Sequence, residues 1–410
     1  MALLFQACSD DDNPSVPVVS PAAQAALMLQ YPGAMNIAWS ASGPYVVADF
    51  ELPESGSAAT TDVTAWYDNN GNWYMTEIDG SYDTLPQAIQ TAFKGSIYGS
   101  WRVDDVDIIE RPGLETVYVI EADGMLNSTD TNVDLYYAAD GTLVKSLINA
   151  PADNNYADYI PAKAAAAVTN YIDTNYPNGR ILEIVSAGDR TEVQLLDGTV
   201  LRKVLFTDSG TWLRTKTAIA VSDVPANILE VLAGSAYNGY LIDKVSYNQT
   251  AAGNFYRFDL AEAGGDIKVD ITTDGILTQV TFDPENPDID NAALLNATAR
   301  KYIDKNYPGA VIIGFDYEQG LLAVDIWQDN AARQVMFDGS NKWVGSQWDI
   351  AYGELPQPVL QAFTSSSYAD ATIQDIEYVQ RPDNGDYYRF RLLQGSETVF
   401  LRITPQGELL

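Results

Sequence analysis

The side chains available for chemistry are almost all carboxylates. Asp and Glu number 56 against 23 Lys and Arg, histidine is absent, and the formal net charge is −33. Without histidine the chain lacks the usual general base near neutral pH, the Ser-His and Cys-His nucleophile pairs, and the commonest zinc ligand. What remains is chemistry on carboxylates alone, as in glycoside hydrolysis, or calcium held by oxygen ligands. Two runs are oxygen-rich, Asp68-Asn69-Asn70-Gly71 and Asp104-Asp105-Val106-Asp107. Neither has the spacing of a calcium-binding loop, and both are expected to be solvated turns. No pair of acids stands out as belonging to a single cleft, and no glycine-rich phosphate loop follows a strand and opens a helix. No catalytic, cofactor or metal residue is therefore assigned. The charge itself excludes nucleic acid as a partner, because counterion release needs Lys and Arg. It suits either a well-solvated surface or the capture of cations or a basic partner.

Aromatic residues are the second candidate class. Trp73, Trp212 and Trp343 recur at one position of a repeat and are expected in the core, as are Trp39 and Trp66. Trp101 shares its repeat position with Tyr240 and Ala371, and Trp348 shares its own with Ile78 and Thr217. Packing does not demand tryptophan at either place, which makes Trp101, Trp348 and Tyr240 the candidate ligand contacts.

The repeat that defines those positions organises the chain. Trp212 to Trp343, Pro225 to Pro356 and Tyr237 to Tyr368 are each 131 apart; Trp73 to Trp212, Pro86 to Pro225 and Tyr98 to Tyr237 are each 139 apart. Three modules follow, at 21–150, 155–283 and 288–410, with Pro- and Asp-rich linkers at 149–158 and 283–290. Val168, Tyr171 and Ile172 fall at helical spacing before Tyr176-Pro177, as do Leu295, Ala299, Tyr302 and Ile303 before Tyr307-Pro308. The residue before proline disfavours the helical region, so each helix stops there. Segments 191–198 and 201–206 read as a hairpin through Asp197-Gly198, and a second helix starts near Pro225. Each module thus reads as two half-units, helix then meander, with helices on one face of antiparallel strands. The fold class is α+β.

Residues 1–20 are set apart. The lone Cys8 cannot form an internal disulfide, and it follows Leu3-Leu4-Phe5-Gln6-Ala7 and precedes Ser9-Asp10-Asp11-Asp12. This arrangement resembles the lipobox of bacterial lipoproteins with the acidic tag of surface-exposed lipoproteins in Bacteroidetes. The apolar stretch is shorter than a signal h-region, which points to a clipped or misassigned start. Cys8 is then the lipid attachment site and 9–20 a flexible tether.

A helix ending in Tyr31-Pro32-x-Gly33, the turn Asn70-Gly71-Asn72-Trp73, the Leu85-Pro86 helix followed by Tyr98, and the closing Asp140-Gly141-x-Leu143 together resemble the PepSY-like, beta-lactamase-inhibitor-like domains of Bacteroidetes envelope proteins. The resemblance covers 21–410 as three copies. It implies helices on an antiparallel sheet and binding rather than catalysis, with no family catalytic residue to carry over. The expectation is a monomeric, non-enzymatic lipoprotein of the cell envelope, surface-exposed or periplasmic, touching the membrane only through its anchor. Its modules would form an elongated scaffold for a protein or peptide. The alternatives are a glycan-binding accessory protein of a polysaccharide uptake system and a hydrolase working through carboxylates.

Overall fold

The computed structural model describes residues 18–54, 58–126, 129–150, 156–261, 267–280, 292–329, 331–382, 385–395 and 397–410. Cys8, most of the tether and the 283–290 linker lie outside the described residues.

Three antiparallel sheets form, of eight, eight and seven strands, and in each the strands lie in sequence order. The first contains β1 (Met35–Ser42), β2 (Tyr45–Pro53), β3 (Thr60–Tyr67), β4 (Trp73–Asp79), β5 (Arg102–Glu110), β6 (Val117–Leu126), β7 (Thr129–Ala138) and β8 (Leu143–Ile148). The second runs from Arg180 to Gln279 and the third from Val311 to Ile403. Each sheet carries two helices: α1 (Pro21–Gln30) and α2 (Gln87–Gly95), α3 (Ala166–Asn175) and α4 (Ala226–Ala233), α5 (Ala297–Asn306) and α6 (Gln357–Thr364). Strand β4 pairs directly with β5, so the two half-units of a module share one continuous sheet.

Both helices of module 1 cover the same face. Ala23 and Leu27 of α1 pack on Val46, Ala48, Phe50, Val63, Ala65 and Tyr67. Ile89 and Phe93 of α2 pack on Val106, Ile120, Ala122, Val133, Leu135 and Tyr137. Side chains alternate across a strand, so the residues between these point to the opposite, outer face.

The recurrent Tyr-Pro and Trp residues hold the first helix of each module to its sheet through one shared hydroxyl. Thr76 Oγ1 lies 2.8 Å from the Tyr31 hydroxyl and accepts from Trp73 Nε1 at 2.9 Å. Thr215 plays the same part for Tyr176 and Trp212, and Ser346 for Tyr307 and Trp343. The tyrosine caps the helix C-terminus while its ring closes the core, so the motif is architectural. The Asp68 run is a turn, as expected: its Oδ1 accepts from the amides of Asn70 and Asn72 at 2.8 and 2.9 Å. Gly71 there has φ +83° and lies so near α1 that a Cβ would meet Ala22 O at 2.8 Å.

The outer faces bring the modules together. On sheet 1 the outer face is apolar toward one end of its strands, with Val47, Trp66, Met75, Ile109, Val117, Val119 and Tyr136. Tyr156 of the first linker and Tyr159, Leu182 and Leu196 of module 2 cover this region. Tyr159 stacks on Tyr136 at 5.2 Å. Tyr156 is therefore part of a core between modules 1 and 2. Modules 2 and 3 meet through ion pairs of Lys203 with Asp316 at 2.6 Å, Lys268 with Asp325 at 3.6 Å, and Arg391 with Asp243 at 3.6 Å. Modules 1 and 3 also touch: Ile148 N donates to Gly320 O at 2.9 Å, and Gly339 N donates to Ile148 O at 2.8 Å. Lys145 places its ammonium 4.4 Å from the Tyr317 ring centre and 5.0 Å from that of Tyr159. Each module contacts both others, so the elongated arrangement expected from the sequence is replaced by a closed cluster.

Candidate binding face

The other end of sheet 1's outer face is where carboxylates collect. The run Asp104 to Asp107 is not a turn; it lies within β5, and its alternate residues Asp105 and Asp107 face outward beside Glu77 and Asp79 of β4 and Glu121 of β6. The register places Asp79 opposite Asp107 and Asp105 opposite Glu121. Asp49 and Asp134 extend the patch across β2 and β7, Asp134 standing opposite Glu121. Ligand-capable oxygens of Glu77, Asp79 and Asp107 all lie within 4.8 Å of one another, near enough to share one hard cation.

This proximity is electrostatically costly. Burial, reinforced by Asp107 and Asp79, pushes the Glu77 carboxyl up to about 8. Burial with Asp134 and Asp107 does the same to Glu121. Asp107, only 4% exposed, is raised by burial to about 6 although the Tyr156 hydroxyl donates to its Oδ2 at 2.6 Å. Among the described residues, Glu77, Asp79, Asp105, Asp107 and Glu121 form no ion pair. Asp49, Asp79 and Asp105 stand exposed, so the face is open and not a cleft. The cavity bounded by Glu192, Lys203, Arg214, Lys216, Phe315 and Asp316 lies instead between modules 2 and 3.

A family description, PepSY-like and beta-lactamase-inhibitor-like, matches residues 57–145, 189–279 and 321–410. The chain belongs to this family. Three solved structures illustrate the likeness, each about the length of one module. A BLIP-like protein from Bacteroides fragilis is 35% identical and aligns over 35% of this chain and 96% of its own, with TM-score 0.31. DUF2874 family proteins from Bacteroides uniformis and Bacteroides ovatus show 29% and 28% identity over 32% of this chain and 89% of theirs, with TM-scores of 0.28 and 0.29. No functionally curated protein matches the chain.

The three PepSY-like modules differ on this face. The positions of Glu77, Asp79, Asp105 and Asp107 are taken in module 2 by Lys216, Ala218, Lys244 and Ser246, and in module 3 by Gln347, Asp349, Asp375 and Glu377. Module 3 adds two arginines where module 1 has Val119 and Glu121. Arg389 Nε donates to Glu377 Oε2 at 2.5 Å and its Nη2 to Gln347 Oε1 at 3.2 Å. Arg391 stands in register with Asp375. In module 2, Lys203 and Lys216 both reach Asp316 of module 3. Burial opposes ionisation of Asp316, yet those two lysines hold it down to about 2.

The aromatic candidates lie apart from the acidic face and from one another, one in each module, Trp101 and Tyr240 just before a strand and Trp348 within one. Trp101 is half-buried, edge-on to Tyr98 at 4.9 Å, with its ring laid on Gly124, where an added Cβ would sit 2.3 Å from it. Tyr240 is half-buried and edge-on to Tyr237 at 5.7 Å. Trp348 is edge-on to Tyr378 at 4.9 Å and lies under the Arg333 guanidinium at 4.8 Å. The acidic face was missed at the level of sequence because a run of aspartates reads as turn. The available signal was the alternation Glu77-x-Asp79 and Asp105-x-Asp107, repeated 270 positions later at Asp349, Asp375 and Glu377.

Proposed function

We propose that this chain is a non-enzymatic, monomeric binding protein of the bacterial cell envelope, held by a lipid on Cys8, that captures a protein or peptide partner on the acidic outer face of module 1. The observation that carries this reading is the contrast among equivalent faces. In module 2 Lys216, at the position of Glu77, and Lys203 beside it pair with Asp316 of the neighbouring module, whereas in module 1 Glu77, Asp79, Asp105, Asp107 and Glu121 form no ion pair among the described residues. Membership in a beta-lactamase-inhibitor-like family supports binding over catalysis. A hydrolase is disfavoured because the converging carboxylates sit on an open sheet with no walls to exclude water.

The test is a photo-crosslinking residue placed at Asp105, with Leu29 on α1 as the control position. A partner from envelope extract should be captured at Asp105 and not at Leu29, and capture should vanish when Glu77 and Glu121 are both changed to Gln. Equal capture at both positions, or capture indifferent to the two Gln changes, would reject this face as the docking site. A glycan is the second reading, favoured by the row Trp348, Tyr378 and Tyr388, whose neighbouring ring centres are 4.9 and 5.0 Å apart. Retention on a glycan array that is lost in Trp348→Ala would favour it.

A further inference from the structure

We infer that the helix-bearing face of module 3 holds a site for a saccharide carrying one uronic acid, its carboxylate on Arg333 and its rings along Trp348, Tyr378 and Tyr388. This rests on the glycan reading given above and names the class of sugar.

The four residues form one row across four strands. Val335 packs with Ala299 and Ile303 of α5, and Ser346 Oγ lies 2.6 Å from the hydroxyl of Tyr307 at the end of that helix. Residues two apart on a strand share a face, so Arg333 of Ala331–Phe337 and Trp348 of Trp343–Asp349 lie on the helix side too. Ile376 and Phe390 pack with Val359 and Phe363 of α6, which puts Tyr378 and Tyr388 on the same side. The register sets Trp348 opposite Tyr378 and Tyr378 opposite Tyr388. All four are half-buried, and the row runs from the ground covered by α5 to that covered by α6.

Arg333 is what calls for a ligand. Its counterpart in module 2, Arg202, is satisfied within the chain: its Nε donates to Asp197 Oδ2 and its Nη1 to Thr217 Oγ1, both at 3.1 Å. The residues 131 positions further on are Gln328 and Trp348, so Arg333 has lost both acceptors. Gln328 turns its amide to Pro308 O instead. Among the described residues Arg333 forms no hydrogen bond and no ion pair, and its Nε is buried without a partner. An unpaired guanidinium in a chain with 56 acidic residues is not explained by a shortage of partners. What it has is the Trp348 ring, whose centre is 4.8 Å away and which orients the planar group without occupying its donors.

The chemistry of the row selects the ligand. A guanidinium fork matches a carboxylate with two parallel bonds. Beyond it the neighbouring ring centres are 4.9 and 5.0 Å apart, steps about the size of one sugar ring, and aromatic faces suit the apolar faces of sugars. At the far end the Tyr378 hydroxyl donates to Asp386 Oδ2 at 2.7 Å, which fixes the ring and leaves a carboxylate to accept from sugar hydroxyls. The acid group therefore belongs at the Arg333 end. The net charge of −33 repels a polyanion, so the match is one acid on an otherwise neutral chain. Module 1 fills the same row with Val63, Ile78, Ile108 and Tyr118, which offer no cation.

The experiment is titration calorimetry on the whole chain with three probes: a trisaccharide of two glucose units ending in glucuronate, the all-glucose trisaccharide, and the first with its carboxyl converted to the amide. The uronate should bind at least tenfold more tightly than either neutral probe. Arg333→Gln should abolish that preference, and Trp348→Ala should remove binding of all three. Trp348→Phe should keep the preference for the acid and guards against misfolding of the Ala variant. Arg202→Gln in module 2 should leave binding unchanged. Equal binding of acid and neutral probes would overturn the inference while leaving the glycan reading to stand, and binding of none of them would overturn both. A preference for the acid that survives Arg333→Gln would overturn the inference too.

Discussion

Modules 1 and 3 place carboxylates on the same two strands and resolve the resulting repulsion in different ways. Module 3 inserts Arg389 and Arg391 from the adjacent strand, and Glu377 gains a direct charged partner. Even so, burial and the charges of Glu377 and Asp349 leave Asp375 at about 7. Module 1 has no such arginines, and Glu77 and Glu121 both stand near 8. One plan has thus diverged into a sheet that sets two arginines among its carboxylates, although Asp375 Oδ1 finds no hydrogen-bond partner there, and one that carries no arginine at those positions. Stability would be better served by the module 3 solution, so its absence in module 1 is what points to a partner.

The largest effect that can break this comparison comes from removing the module 3 cation. Arg389→Ala strands Glu377, 8% exposed, beside Asp349 and Asp375. It should cost about 2–3 kcal/mol in a denaturant titration, the Arg389 side chain being 26% exposed. A cost near zero would mean that the arginine is ornamental and the two faces are equivalent.

Next in size is the response to pH. A carboxyl raised in the folded state keeps its proton to higher pH than in the unfolded chain, so its contribution is present below the unfolded value and is lost as pH rises through the folded one. Glu77, Glu121 and Asp107 should together make the protein less stable between about pH 5 and 8, by on the order of 2 kcal/mol. The combined change of Glu77 and Glu121 to Gln should flatten that slope. Thermal melts across this range check it, and a melting temperature that rises with pH would contradict the assignment.

Glu121→Arg should then raise stability by about 1 kcal/mol, because it places a cation opposite both Asp105 and Asp134. Loss of peptide binding with a gain in stability would show function and stability trading against each other on one residue. The smallest expected effect is that of Tyr156→Phe, which removes the hydroxyl donating to Asp107. It should cost about 0.5–1 kcal/mol, and more above pH 6 where Asp107 is charged.

Much of the fold was legible in the sequence because its motifs are local. Helices end where Tyr-Pro forbids another turn, and Trp73, Trp212 and Trp343 recur because each shares a hydroxyl with the helix tyrosine. The candidate face was not legible because its residues come from separate strands and acquire meaning only in register. Asp104 to Asp107 has poor strand propensity, yet β5 lies between β4 and β6 and is held by both ladders. The closure of the modules was hidden for a related reason. Tyr156 sits in a polar linker and Tyr159 just beyond it, and tyrosine in such a stretch was the overlooked sign of burial.

The most direct test of the account is a carbon-detected NMR titration of the Glu side-chain carboxyls, assigned by single Gln substitutions. Glu77 and Glu121 should titrate near pH 8 and shift downward when a cationic peptide is bound. Midpoints in the ordinary glutamate range, unmoved by the peptide, would show the face to be merely hydrated surface and would contradict the central claim.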